Sequence, residues 1–212
     1  MGEREDLIDS LRRRVAMPTT PDAGPLPYAQ AEAALVHRHL PDAVVMADHL
    51  APTREAVLTE LTTCSIAHFA CHGVADSANP AASRLLLQDH ERSPLPVATL
   101  LQVDLTHARL AFLSACQTAA PGKDVRLMDE TIHLATAFQL VGFRQVVGTL
   151  WPIDDRLAAE IADVFYSNLC SSRDRTADPD RAPVALHDTI RTFRDRFPGL
   201  PSLWAAYIHS GT

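Results

Sequence analysis

An α/β fold, with a mostly parallel central sheet and helices on both of its faces, is what the residue pattern predicts. Three observations carry this. The segments SIAHFA (65–70), RLAFLSA (109–115) and QVVGTL (145–150) are short and largely apolar, as strands buried on both faces are. Helical patterns alternate with them along the chain. The length of 212 residues suits one such domain, and 47% apolar with 21% charged residues is an ordinary globular balance. Residues 1–25 read as a helix/strand and Pro-rich lead-in, and residues 26–212 as the domain itself.

The elements follow in order. Residues 2–14 are rich in charge and read as a helix, with Arg12, Arg13 and Arg14 on its solvated face. Val15–Met17 is a short strand candidate, followed by PTTPDAGPLP (18–27), where four prolines and a glycine mark an irregular loop. Ala29–Leu40 is Ala- and Leu-rich and reads as a helix stopped by Pro41. Ala43–Met46 is a strand candidate, and Thr53 caps a helix running to Leu61. Ser83–Gln88 reads as an outlying strand or hairpin arm, and Val97–Leu101 as a short helix. Asp129 is expected to cap a helix that Gly142 ends. Leu157–Cys170 and Pro183–Arg196 read as two amphipathic helices, and WAAYIH (204–209) as a last strand.

The bulk numbers exclude several functions. A formal charge of −7 does not suit phosphate-backbone binding, which needs clustered Lys and Arg, so no nucleic-acid partner is expected. The polar start at Met1–Ser10 has no apolar segment after it, and no run approaches the ~18 residues of a membrane span. None of Cys64, Cys71, Cys116 and Cys170 forms a C-x-x-C pair. A reduced, cytoplasmic protein without metal or organic cofactor is the expectation.

Two residues stand where chemistry is expected. His72 follows directly on one buried-type strand and Cys116 on another. Ligands of open α/β sheets bind beyond the carboxyl ends of the strands, so adjacent strands would bring both side chains to one rim. A thiolate is the attacking species, and a free Cys with pKa ~8.5 needs a neighbouring imidazole to hold its proton at neutral pH. The same imidazole then protonates the leaving group. Gly73 has no side chain, so its N–H and that of Cys116 are the candidate oxyanion donors. His68 lies inside its strand and reads as a packed or supporting histidine. His68, Cys71 and His72 do not make a metal site, because strand neighbours point to opposite faces and no fourth ligand stands at a standard spacing.

HFACHG (68–73), LSACQTA (113–119) and VVGTLWPIDD (146–155), in this order, resemble the three signature blocks of CHAT domains, relatives of caspases and separases. The resemblance runs from about Met17 to His209. It departs at Gln117, where many members have Glu, and at the first strand, where Arg12–Arg14 replace an apolar stretch. It implies a caspase–hemoglobinase fold and a bacterial cysteine endopeptidase with His72 as acid–base and Cys116 as nucleophile. The expected substrate is a protein, possible roles being defence or regulated cell death, and a sensor or repeat protein is the expected regulatory partner. The residues by themselves point to a cysteine hydrolase; peptide-bond cleavage comes from the resemblance. It also implies that Asp155, beside Asp154 and Trp151, lines the pocket for the residue before the scissile bond and selects Arg or Lys there. The plain alternative for the two aspartates is an N-cap of the next helix. AAPGKDVRLM (119–128) reads as a gate over the site. The competing readings are a non-catalytic interaction module and a hydrolase of small amides or esters.

Overall fold

A computed structural model describes residues 12–46, 51–74, 76, 79–114, 127–170 and 176–211. Its strands are β1 (Arg12–Ala16), β2 (Val44–Met46), β3 (Ile66–Ala70), β4 (Gly73–Val74), β5 (Arg84–Leu85), β6 (Leu95–Pro96), β7 (Leu110–Leu113), β8 (Gln145–Thr149) and β9 (Tyr207–Gly211). Its helices are α1 (Ala29–His39), α2 (Arg54–Leu61), α3 (Val97–Leu100), α4 (Leu127–Leu140), α5 (Asp155–Leu169) and α6 (Ala182–Arg196).

Six strands form the central sheet in the order β2-β1-β3-β7-β8-β9. All neighbours in it are parallel except β8 and β9. This is the mostly parallel sheet that the sequence predicts. Buried strands need helices on both faces, and the alternation of side chains assigns them. Ile66, Leu110, Phe112 and Val147 face α1, α5 and α6 in one apolar cluster. Ala67, Phe69, Ala111, Leu113 and Val146 face α2 and α4 in another. The small antiparallel sheet β4-β5-β6 adds Leu85 and Leu95 to that second cluster, so SRLLLQ is a hairpin arm, as expected.

Local signals end the helices where the sequence predicts. Thr53 Oγ1 accepts from the Ala56 N–H at 3.4 Å and starts α2. Gly142 takes φ +122° after α4, a region that side chains avoid, and its N–H bonds to the Gln139 carbonyl. Helix α4 begins at Leu127, so Asp129 lies in its first turn and not at its cap.

The first strand is the main difference. Arg12–Arg14, expected to end a charged helix, are strand residues inside the sheet. Ladders run from Arg12↔Ile66 to Ala16↔Ala70 on one side and from Arg13↔Val44 to Val15↔Met46 on the other. Pairing on two sides outweighs a helix-like composition, because strand preference depends on neighbours more than on the residue itself.

Strand β9 closes the edge against β8, where His209 Nε2 stands 2.5 Å from Gln145 Oε1. Burial lowers the His209 pKa from 6.5. The native state thus binds its proton less readily than the unfolded chain. The stability associated with neutral His209 is complete above the unfolded value and is lost as pH falls through it. Melting temperatures of the wild type should fall between about pH 7.5 and about pH 5.5, and His209→Gln should flatten part of that slope. Equal slopes would show that His209 does not govern it. Among the described residues, no helix is long and apolar enough to cross a membrane.

Candidate active site

Among the expected site residues, His72, Gly73, Trp151, Asp154 and Asp155 follow the carboxyl ends of parallel strands, the rim where an α/β sheet binds ligands. β1 runs into the proline loop at 18–27, β3 into Cys71-His72-Gly73, and β8 into Trp151 and the paired aspartates. β7 is described to Ser114, whose N–H bonds to the Phe69 carbonyl at 3.0 Å. Cys116 and residues 119–126 of the expected gate at 119–128 lie outside the described residues, and its last two residues, 127 and 128, are the start of α4 instead of loop. The β3–β7 ladder pairs Ile66 with Leu110 and Phe69 with Leu113, so partners differ by 44 in residue number.

His72 is 2% exposed. Its Nε2 stands 2.7 Å from the Gly24 carbonyl oxygen. A carbonyl only accepts, so Nε2 carries the hydrogen and the neutral ring presents Nδ1 as its proton acceptor. Nδ1 is buried and has no hydrogen-bond partner among the described residues. An imidazole held in this way is a base with its basic nitrogen uncommitted. Gly24 was not singled out in the sequence, and a backbone carbonyl leaves no mark there. The one available signal was a glycine inside a stiff, proline-bounded loop.

Gly73 follows in β4. The Leu86 N–H donates to the His72 carbonyl at 2.8 Å, which makes 72 and 86 a hydrogen-bonded pair. Antiparallel pairs alternate, so Gly73 and Leu85 form a non-bonded pair and the Gly73 N–H projects away from β5. Among the described residues, β4 has no other neighbour in its sheet. That amide is therefore not used in the β4–β5 ladder and lies next in the chain to His72.

The aspartates divide their work. Asp154 caps α5, its Oδ1 accepting from the Leu157 N–H at 3.1 Å. Asp154→Ala should cost about 1 kcal/mol of stability, read as a lower denaturation midpoint; no change would remove the cap from the account. Asp155 is half-buried, and its Oδ2 accepts from the Tyr28 backbone N–H at 2.7 Å. Burial raises its pKa above the ordinary carboxylate range; the Tyr28 N–H acts against this, Glu32 and Asp154 add to it, and nearby His72 lowers it. Trp151 is half-exposed and donates its indole N–H to the Ser202 carbonyl at 3.0 Å.

Below the rim, His68 is a packed histidine, as expected, but with a partner the sequence did not disclose. It is 1% exposed and stacks on Phe112 with ring centroids 5.1 Å apart. Its Nε2 lies 3.0 Å from Glu32 Oε1 on α1, a charge-pairing distance that is out of line for a hydrogen bond. Its Nδ1 lies 3.2 Å from the Tyr166 hydroxyl on α5.

The comparisons agree with this architecture. Residues 6–212 match the family model of the CHAT domain. The structure of the complex of Porphyromonas gingivalis RgpB pro- and mature domains is similar, with a TM-score of 0.55 at 12% identity over 96% of this chain and 48% of that one. The crystal structure of the Arg-specific cysteine proteinase gingipain R (RgpB) is similar as well, with a TM-score of 0.52 at 11% identity over 96% of this chain and 46% of that one. The chain thus spans about half the length of these neighbours, and the likeness is one of fold. No curated protein sequence matches the chain.

Proposed function

Because the chain belongs to the CHAT domain family and has a caspase–hemoglobinase-like fold, we propose that it is a cysteine endopeptidase working through His72 and Cys116. The observation that carries this is the state of His72: fixed by a carbonyl on one nitrogen, without a hydrogen-bond partner on the other among the described residues, and set at the rim of the sheet. The register adds support. Partners across β3 and β7 differ by 44 in residue number, and so do His72 and Cys116.

In the proposed reaction, His72 Nδ1 takes the Cys116 thiol proton and the thiolate attacks the scissile carbonyl carbon. The N–H groups of Gly73 and Cys116 receive the developing oxyanion. The imidazolium returns its proton to the leaving amine, which leaves an acyl-thioester. Water, deprotonated by the same nitrogen, attacks the thioester and releases the acid and the thiol. Each step needs one acceptor nitrogen on His72, the one that Gly24 leaves available.

We assign the pocket before the scissile bond to Asp155 with Trp151 as its wall, and a basic substrate side chain to that pocket. Half-burial near His72 supports Asp155, whereas Asp154 is exposed and serves as the cap of α5. The substrate is another protein, in the defence or cell-death setting that the family suggests, with a sensor or repeat protein controlling access.

A peptide-library digest tests this reading. Wild type should cut after basic residues and Cys116→Ala should not cut. Cleavage retained by Cys116→Ala would end the cysteine-peptidase reading, and a wild type that cuts nothing would favour a binding module.

A further inference from the structure

The proline loop is a mount for His72 as well as a connector. It leaves β1 at Met17, whose N–H bonds to the Ala70 carbonyl at 2.9 Å. It closes at its base, where the Leu26 N–H bonds to the Pro18 carbonyl at 2.9 Å. Leu26 is buried against Ala29 and Ala70. Pro25, directly after Gly24, locks its own φ and disfavours the helical region for Gly24, which narrows the directions open to the Gly24 carbonyl. A stiff loop still needs a fixed exit. That exit is Tyr28, at the N-cap position of α1, whose own side chain makes no capping bond.

The exit is held from another element. Asp155 stands in the first turn of α5, a helix buried along one face from Leu157 to Leu169, so its carboxylate sits on a rigid support. Its Oδ2 accepts the Tyr28 N–H, an amide at the positive end of α1 that has no intrahelical acceptor. One turn further, the Glu32 N–H bonds to the Tyr28 carbonyl at 2.7 Å, and the buried Glu32 side chain lies against His68 on β3. The first turn of α1 is thus fixed to α5 at one end and to β3 at the other, with Gly24 four residues before Tyr28.

We propose that Asp155 is a positioning residue: by holding the Tyr28 N–H it fixes the exit of the proline loop, and so keeps the Gly24 carbonyl on His72 Nε2–H. The inference rests on the reading of His72 as the base. It gives Asp155 a task that precedes any contact with substrate, carried by one carboxylate oxygen, while the other has no hydrogen bond among the described residues.

The test has two readouts without substrate. In isotope-labelled histidine spectra, the His72 Nε2–H, assigned by its loss in His72→Ala, should be protected in the wild type. It should exchange away in Asp155→Ala and in Asp155→Ser, which retracts the acceptor but keeps a polar first turn for α5. It should persist in Asp155→Asn, whose amide oxygen still accepts from Tyr28. Iodoacetamide labelling of Cys116 near pH 6.5 should slow about fivefold in Asp155→Ala and stay within about twofold of wild type in Asp155→Asn. An unchanged resonance in Asp155→Ala overturns the proposal, and so does its loss in Asp155→Asn, which would make charge the cause. A wild-type Cys116 no faster than Cys170 would overturn the peptidase reading instead, while the His72 resonance still judges the positioning.

Discussion

His72→Ala and Cys116→Ala should each reduce peptide-bond cleavage by roughly 10⁴-fold or more, and the double variant should be no slower than either single one. The expectation follows from a shared proton. A thiol without its base attacks slowly, and a base without its thiol has nothing to activate, so the second removal takes away a function already lost. Turnover would be measured on a peptide from the library digest. Thiol labelling gives a separate measure: Cys116 should label faster than Cys170 in the wild type and no faster in His72→Ala. Cys170 is the fair comparison because it is half-buried, whereas Cys64 and Cys71 are buried and slow through access alone. Losses that simply multiply in the double variant would mean that the two residues act independently, and the dyad would be abandoned.

Glu32→Ala is the second large effect, this time on stability. Glu32 and His68 are both essentially without exposure and face each other at 3.0 Å, an ion pair when His68 is protonated. Among the described residues neither carboxylate oxygen of Glu32 has a hydrogen bond, so the pair carries its desolvation cost with little compensation beyond mutual attraction. Removing one member leaves the other buried alone and should cost about 3–5 kcal/mol. Replacing both, as Glu32→Leu with His68→Leu, should be nearly neutral or stabilising, since the site is walled by Phe112 and Tyr166 and suits apolar side chains. Urea unfolding of the three variants decides it. A single substitution costing under about 1 kcal/mol would show that the pair is not a buried charge contact. The pair also fixes α1 under the proline loop, so the single variant should weaken protection of the His72 Nε2–H.

The residues alone determined a good part of this. Apolar runs ending at His72, near Cys116 and at Trp151 mark three parallel strands and the rim they share, because burial on both faces leaves only apolar side chains in such strands. Thr53, Asp154 and Gly142 mark helix ends through local chemistry that needs no distant partner. The three motif blocks indicated the family. Only the tertiary structure decided the rest. Arg12–Arg14 are strand because β2 and β3 flank them, which no local composition announces. The tautomer of His72 depends on the carbonyl of Gly24, 48 residues away, and every residue type carries the same carbonyl. Asp155 reaches across 127 residues to the Tyr28 N–H, and Glu32 meets His68 only where α1 packs on β3. Side-chain patterns record what a residue is, whereas backbone donors and long-range pairs exist only once packing has set their distances.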